Sequence, residues 1–288
     1  MSMITDDDKK KLAAALASAT QASGLSSSSG IQQNTFPAPT VPEAPTGTLN
    51  PTLGTSGIHV EVVYPGMTVS DIIGLSFNGN DRFEAQNGSM FGKVTFDVPM
   101  TDVATAIGKT VDVIYAVVRP AGTSISSALK LIVTPIPESQ LAGPRIDPSD
   151  GGVIDVSALT VDADVSVAAW PLIATEQRIW LKLEGSTVLD LPAWQGFPIT
   201  STGDQSTKIP LSYLKSLADG SSLKLVFEVS FDGGATRQAF PLTTYTIKAL
   251  PDVTSITIDE VTDSKGVLIP SGGYTTDTNI KISGSVKY

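Results

Sequence analysis

From Ile58 onward the chain consists of short apolar or alternating runs separated by Gly, Asn, Asp and Pro. Alternation over a few residues is typical of half-buried strands, and no long helical periodicity competes with it. Many short strands at this spacing predict an all-β fold of the sandwich type. The runs are IHVEVVY, DIIGLSF, GKVTFDV, TVDVIYAVV and SALKLIV, followed by VIDV, DVSVAAW, QRIWLKL, TKIPL, SLKLVFEVSF and FPLTTYTIKA.

Two stretches suggest that one unit occurs twice. YPGMTVSD begins at Tyr64 and WPLIATEQ begins at Trp170, and in both an aromatic-Pro pair leads into an apolar run. Gly79 and Gly185 follow the two prolines at the same distance. Proline cannot donate to a sheet ladder, so each pair should end a strand, with its aromatic ring packed at the end of the sandwich.

A second matching segment occurs later in each copy. VPMTDVATAIG and IPLSYLKSLADG both combine an apolar-Pro pair, a hydroxyl residue (Thr101 or Ser212) that can cap a helical turn, and a glycine stop before a strong strand. The repeat length suits one seven-stranded sandwich. We therefore predict tandem immunoglobulin-like β-sandwiches at residues 41–143 and 144–250.

Residues 251–288 give a strand, a loop with DSKG and PSGG, and a second strand. So few strands cannot close a sandwich, because their apolar faces would lack an opposing sheet. We expect an incomplete third immunoglobulin-like unit, which is either the start of a longer protein or a segment that self-associates or is completed by another chain.

Residues 1–40 predict a short N-terminal helix and a flexible linker. Thr5 can cap the helix, and Asp6 to Asp8 complement its dipole. A Ser/Gly tract and Pro-rich sequence follow. The segment is interpreted either as a disordered leader or as a docking or secretion-recognition helix. It lacks the basic and long apolar regions of a Sec signal, and no run is long enough to predict a membrane span.

Charge and residue usage exclude several function classes. The formal net charge of −10 repels nucleic acid and anionic membrane surfaces. The chain has no cysteine and a single histidine, so a Ser-His-Asp triad could be built only around His59. His59 falls at a predicted strand start, which favours an exposed strand residue beside Glu61. No catalytic residue is predicted, and the chain is expected not to be an enzyme.

The acidic turn between the two copies is the candidate metal site. Asp147, Asp150 and Asp155 flank PSDGG, and calcium binds clusters of oxygen ligands. No known calcium-loop spacing is present, so ordinary Asp-Gly turns are the alternative. No other cofactor is predicted.

Trp194, in LPAWQGFP, is the candidate ligand contact. It belongs either to an exposed sugar- or protein-binding patch or to the core. Asp232-Gly233-Gly234 predicts a hairpin turn, because glycine adopts positive φ without strain.

The segments GGVIDVSAL, FDGG, FPLTTYTIKA and, above all, VTSITIDEVTDSKGVLIPSGGYTTDTNIKISGSV resemble the bacterial immunoglobulin-like repeats of large multi-repeat, adhesin-like surface proteins. The resemblance implies a non-enzymatic stalk or binding protein, at the cell surface or in a matrix, that contacts protein or glycan. Extracellular or cell-surface localisation by a non-Sec route is favoured over a cytoplasmic one. A carbohydrate-binding or carbohydrate-active secreted protein is the alternative.

Overall fold

The structure is a computed structural model that describes residues 4–21, 32–53, 57–249 and 255–287. Strands make up 44% of the chain and helices 10%, so the predicted all-β class is correct. Residues 22–31 of the predicted linker, and residues 251–254 at the start of the predicted third unit, lie outside the described residues.

The elements up to residue 140 are α1 (Asp6–Gln21), β1 (Gln32–Phe36), β2 (Thr48–Leu49), β3 (Ile58–Val63), β4 (Ile72–Phe77), β5 (Gln86–Asn87), β6 (Lys93–Val98), α2 (Met100–Ala104), β7 (Thr110–Arg119), β8 (Gly122–Ser126), β9 (Leu129–Val133) and a 3₁₀ turn at Glu138–Gln140. Strands β1, β8, β7, β4 and β5 form a sheet that also contains β9 and β2, and β3 pairs with β6 in a second sheet.

The later elements are β10 (Arg145–Asp147), β11 (Val153–Asp155), β12 (Ala163–Val167), β13 (Arg178–Glu184), β14 (Val188–Pro198), β15 (Gln205–Ile209), α3 (Leu211–Leu214), β16 (Ser222–Ser230), β17 (Gln238–Ala239), β18 (Thr243–Lys248), β19 (Ser255–Asp263) and β20 (Ile280–Lys287). Strands β11, β18, β16, β13 and β14 form one sheet with β17, and β10, β12 and β15 form another.

The same pairing pattern occurs in both halves. The antiparallel pairs β3–β6, β4–β7 and β7–β9 correspond to β12–β15, β13–β16 and β16–β18. The short parallel pair β2–β9 corresponds to β11–β18. In each half the inward positions of both sheets belong to one hydrophobic cluster, which also runs from the first half into the second. This is the layered arrangement of β-sandwiches.

Each aromatic-Pro pair follows a strand and is held by a side chain seven residues further on. Tyr64 follows β3 and its hydroxyl donates to Asp71 Oδ2 at 2.8 Å, while Trp170 lies beyond β12 and its Nε1–H donates to Gln177 Oε1 at 3.0 Å. Both rings are 3% exposed, as expected for plugs at the end of a sandwich. We call residues 64–71 and 170–177 the two corners.

The helical turns α2 and α3 occur where the sequence predicts them, but their predicted caps do not. The N-cap positions are Pro99 and Pro210, neither of which supplies a capping side chain, and in α3 the N–H of Leu211 donates instead to Asp162 Oδ1 at 2.9 Å. A hydroxyl cap must precede the first helical residue, whereas Thr101 and Ser212 lie inside the turns. Thr101 therefore keeps its hydroxyl for other contacts.

Helix α1 is docked on the first sheet, so the disordered-leader interpretation is wrong for residues 4–21. Thr5 caps it, since Asp8 N–H donates to Thr5 Oγ1 at 3.2 Å and Thr5 N–H donates to Asp8 Oδ2 at 3.0 Å. Its apolar stripe packs on the face of the sheet that points away from β3 and β6. The cluster contains Leu12, Ala15, Leu16, Ile72, Ile114, Ala116, Val118 and Ile125.

The sheet accommodates this helix because Gly74 has no side chain. A Cβ at Gly74 would lie 3.1 Å from Leu12 Cδ1, which is a tight contact. The predicted linker is also shorter than expected, because β1 pairs in parallel with β8 and Thr40 exchanges two backbone hydrogen bonds with Glu61. Residues 32–40 thus belong to the first half of the fold.

Strands β19 and β20 form an isolated antiparallel ribbon, as the sequence predicts for this segment. Almost all of its side chains are exposed, including Ile256 at 73% and Ile258 at 65%. We call these two strands the ribbon.

Candidate functional site

Trp194 belongs to the core, which is one of its two predicted interpretations, and the other, an exposed sugar- or protein-binding patch, is wrong. It lies in β14, is 6% exposed, and its ring packs against Phe227 with the ring centroids 5.6 Å apart. The apolar interior of the second half accounts for this placement, since a strand position that points inward buries whatever ring it carries.

The three candidate calcium ligands are not gathered into a site. Asp155 accepts hydrogen bonds from Ser157 and forms an ion pair with Lys248 at 2.9 Å, and Asp147 and Asp150 are exposed. Among the described residues no group of three or more His, Cys, Asp or Glu side chains is placed to hold a metal ion. The arrangement corresponds to the alternative, ordinary Asp-Gly turns.

His59 lies on the exposed face of β3, as predicted, but its nearest carboxylate is Glu43 rather than Glu61. His59 Nδ1 lies 2.5 Å from Glu43 Oε1, and Nε2 lies 3.6 Å from Asp97. The hydrogen bond to Glu43 raises the pKa of His59. This arrangement ties the segment around Glu43 to β3, and it holds no serine nucleophile.

The structure points instead to the junction between the two halves. Lys109, before β7, forms an ion pair with Asp232, after β16, and Nζ and Oδ2 are 2.7 Å apart. The Asp232 side chain is 7% exposed and that of Lys109 is 28% exposed. A pair this shielded from water is screened far less than a surface ion pair, and loss of either partner leaves an uncompensated charge.

A second contact joins the halves through an amide. The backbone N–H of Ile136 donates to Gln238 Oε1 at 3.1 Å, and Gln238 Nε2 donates to the carbonyl of Ile136 at 2.8 Å. The amide of Gln238 therefore satisfies both the backbone N–H and the backbone carbonyl of Ile136. This double hydrogen bond fixes the orientation of β17 relative to the end of the first half.

The Asp232-Gly233-Gly234 turn positions the carboxylate of the ion pair. Both glycines have positive φ, 76° and 112°, as the hairpin prediction requires. Asp232 accepts hydrogen bonds from Ser230 Oγ at 2.7 Å and from the N–H and hydroxyl of Thr236 at 2.9 and 2.8 Å. The turn was recognised from the sequence, but its partner Lys109 was not, since nothing in the sequence links residues so far apart.

Hydrogen bonding dominates the electrostatics of the junction. Burial by itself raises the pKa of Asp232, but the contacts from Lys109, Thr236 and Ser230 outweigh it and hold that pKa well below its usual range. The low pKa favours the charged carboxylate, which is the form that pairs with Lys109.

The comparisons with known proteins were made on sequence and on fold. No family model matches the sequence, and no curated protein sequence matches it. Among solved structures, similarity was found to a Ca²⁺-stabilised adhesin with which an Antarctic bacterium binds ice, at 16% identity over 83% of this chain and 55% of that one, with a TM-score of 0.28. This chain thus spans about half the length of that structure.

Two further structures are of the same kind. A 1.5-MDa bacterial ice-binding adhesin gives 15% identity over 81% of this chain and 71% of the other, with a TM-score of 0.27. The D0-D1 domain of intimin gives 10% identity over 73% and 98%, with a TM-score of 0.21. The neighbours are thus bacterial adhesin and immunoglobulin-like domains, and scores this low do not decide what this chain binds.

No helix in the described parts of the chain is long and apolar enough to cross a membrane.

Proposed function

We propose that this protein is a non-enzymatic structural and binding protein of the adhesin-like or matrix-associated type, made of tandem immunoglobulin-like sandwiches that the junction holds as one rigid piece. The buried Lys109–Asp232 ion pair carries the proposal. Two domains joined only by a linker move independently by default, whereas a desolvated ion pair and a double amide hydrogen bond fix their orientation.

Three further features support this role. The same strand pairing occurs in both halves, so the unit is one that can be repeated in a row. The single imidazole, that of His59, is hydrogen-bonded to Glu43 on the exposed face of β3, where it joins two segments of the first half. Many acidic groups and a negative net charge suit a protein that stays soluble outside the cell and contacts protein or glycan. We place it outside the cell or on its surface.

Rigidity can be measured directly because the chain has no cysteine of its own. Spin labels are attached at Met90→Cys and Val161→Cys, two exposed positions in different halves, and the distance distribution is recorded by double electron–electron resonance. We expect one narrow distribution. Lys109→Met combined with Gln238→Ala should broaden it, since both contacts across the junction are removed.

Lys130→Met is the matched control. It breaks an ion pair with Asp112 within the first half, where the lysine side chain is 65% exposed, so the distribution should stay narrow. A broad distance distribution in the labelled chain that keeps Lys109 and Gln238 would contradict the proposal. So would the absence of broadening in the Lys109→Met, Gln238→Ala variant.

A second candidate role, assembly, rests on the ribbon. Across its register Ile256 pairs with Val286, and Val261 pairs with Ile282. Directly opposed residues share a face, so one face of the ribbon is apolar, while Lys281 and Lys287 lie on the other. We propose that a second copy of the chain covers this face, because two such ribbons are complementary to each other around a twofold axis.

Sedimentation equilibrium tests the assembly. Ile256→Lys places a charge on the apolar face and should shift the chain towards monomer, whereas Val267→Lys, an exposed position in the loop between the strands, should not. A chain that is monomeric at all accessible concentrations excludes this role and leaves the rigid-junction proposal untouched.

A further inference from the structure

A cleft lies between the two halves, directly beside the junction. Its volume is about 440 Å³, which is within the usual range for sites of small ligands. The first half contributes the β4–β5 turn and α2, and the second contributes the end of its corner and the Asp232 turn. Lys109 and Asp232 also line it, so the ion pair both closes one side and neutralises the charge there.

Four exposed polar side chains line this cleft without polar contacts to the rest of the described fold. They are Asn78, Thr101, Thr175 and Glu176, two from each half. Within the described ranges none of the four makes a side-chain hydrogen bond or ion pair, whereas the neighbouring Gln177 is fully engaged by Trp170 and Leu172. The cleft therefore presents two hydroxyls, a carboxamide and a carboxylate to an incoming molecule.

The backbone holds two of these groups at positive φ. Asn78 has φ of 53° and Glu176 has φ of 71°. Asparagine tolerates this left-handed conformation, but for glutamate it costs about 1–2 kcal/mol. In the first corner, Ser70 occupies the position of Glu176 without positive φ. Leu172 in the same corner also has positive φ, so this backbone course belongs to the second corner, and the corner holds Glu176 at the cleft.

The chemistry of these groups selects the ligand. Hydroxyls and a carboxamide both donate and accept, and the hydroxyls of a polyol match both functions, whereas a cation such as guanidinium can only donate. A polyol satisfies all four groups, and the carboxylate can accept from neighbouring hydroxyls. Glu176 also leaves the cleft with one net negative charge, which disfavours anionic sugars. The half-buried Phe231 ring supplies an apolar surface for the C–H face of a sugar.

We propose that this cleft is a binding site for a neutral saccharide of one or two residues. The proposal deepens the proposed function, because both walls must be held in place by the junction. Its two sides come from separate halves, so the site exists only where the halves are oriented as in this structure. Glu176 and the two threonines hold the hydroxyls, and Asn78 adds an amide contact from the opposite wall.

The test is a titration of the full chain, labelled with ¹⁵N, by two-dimensional NMR. The probes are glucose, galactose, mannose, N-acetylglucosamine and N-acetylgalactosamine, with N-acetylneuraminic acid as the anionic sugar and arginine as the cation. We expect at least one neutral sugar to shift the amides of the cleft residues. Glu176→Gln should raise the dissociation constant for that sugar by about tenfold, and Thr101→Val should raise it by about two- to tenfold.

Asp150→Asn is the matched control, because it removes an exposed carboxylate of the second half that does not line the cleft; it should leave the affinity unchanged. The proposal is overturned if no neutral sugar binds, if the shifts map elsewhere, if Glu176→Gln and Thr101→Val bind as well as the native chain, or if arginine binds and sugars do not. A narrow label distance with no sugar binding rejects the saccharide site alone, whereas a broad distance rejects the rigid junction first.

Discussion

The two corners build the same geometry from different chemistry. In the first, the hydroxyl of Tyr64 donates to Asp71, and in the second the indole of Trp170 donates to Gln177. The third residue of each corner has positive φ, 73° at Gly66 and 64° at Leu172. The carbonyl of that residue accepts a hydrogen bond in both corners, so the backbone course is the same.

The two corners differ in the number of side chains needed to bind the aromatic residue and the carbonyl of the third residue. Gln177 has both an acceptor and donors, so its amide binds Trp170 and the carbonyl of Leu172 by itself. Asp71 can only accept, and the first corner therefore recruits Arg119 from β7, whose guanidinium donates twice to Asp71 and once to the carbonyl of Gly66. One corner is held by a local neutral amide and the other by a long-range buried charge pair.

Loss of an aromatic plug should have the largest effect. Trp170 packs against Phe227 and Phe240, with ring centroids 5.9 and 5.5 Å away. Trp170→Ala should lower the free energy of unfolding by about 3–5 kcal/mol, because it leaves a large cavity. Urea denaturation measures this, and a loss below roughly 1 kcal/mol would mean that the corner contributes little to the core.

Removal of the charge from the first corner comes next. Asp71→Asn keeps the shape but leaves Arg119 without its counter-charge, so we expect a loss of about 2–4 kcal/mol, at the lower side of buried pairs because the arginine side chain is 34% exposed. Glu61→Gln, which breaks the pair with Lys93, whose side chain is 51% exposed, should cost less than about 1 kcal/mol. Equal losses in the two variants would show that Asp71 behaves as an ordinary surface carboxylate.

A smaller loss of stability should follow when a residue with a Cβ replaces the glycine at the positive-φ position of the first corner. Gly66→Ala places a Cβ in open space but at positive φ, so only conformational strain of about 1–2 kcal/mol is added. Leu172 accepts the same strain in the second corner, where its side chain packs against the core. Gly203→Ala, at an open site without positive φ, should change stability by less than about 1 kcal/mol. Unchanged stability in Gly66→Ala would show that the corner relaxes around the new side chain.

The pH dependence should distinguish the corners most finely. Burial raises the pKa of Asp71, but the hydrogen bonds from Arg119, Tyr64 and Thr68 outweigh it and leave the pKa below its usual value. The unfolded chain then binds the proton more readily, so this stability is present above about pH 4 and is lost as the pH falls further. Unfolding midpoints at decreasing pH should fall less steeply in Asp71→Asn than in the native chain, while Gln177→Met leaves the slope unchanged. Parallel slopes in all three chains would rule out a role for Asp71 in acid sensitivity.

The repeat could be read from sequence because it follows from short-range rules. An aromatic-Pro pair at a strand end and a glycine at fixed distance are local features, and they located both corners correctly. The equal spacing nevertheless hides different causes. Gly79 has φ of 76° in open space, whereas Gly185 has no positive φ and is small because a Cβ there would lie 2.7 Å from Leu217.

The candidate sites were harder to predict, since each depends on contacts between distant segments. Trp194 looked like a loop residue and is a core residue. Asp232 looked like a turn residue and is also half of an ion pair with Lys109. The docking of α1 was one of two interpretations that the sequence left open, because the apolar stripe that receives Leu12 becomes continuous only when three strands lie side by side.

The sequence by itself determined the all-β class, the strand runs, the helical turns, the hairpin and the repeated corners, because alternation, proline and glycine act on the nearest few residues. Only the tertiary structure decided that Arg119 completes one corner, that Lys109 meets Asp232, and that four exposed polar groups from two halves face one cleft. These are long-range pairings, and the residues next to a charged or hydroxyl group in the sequence do not identify the partner that it meets in the folded chain.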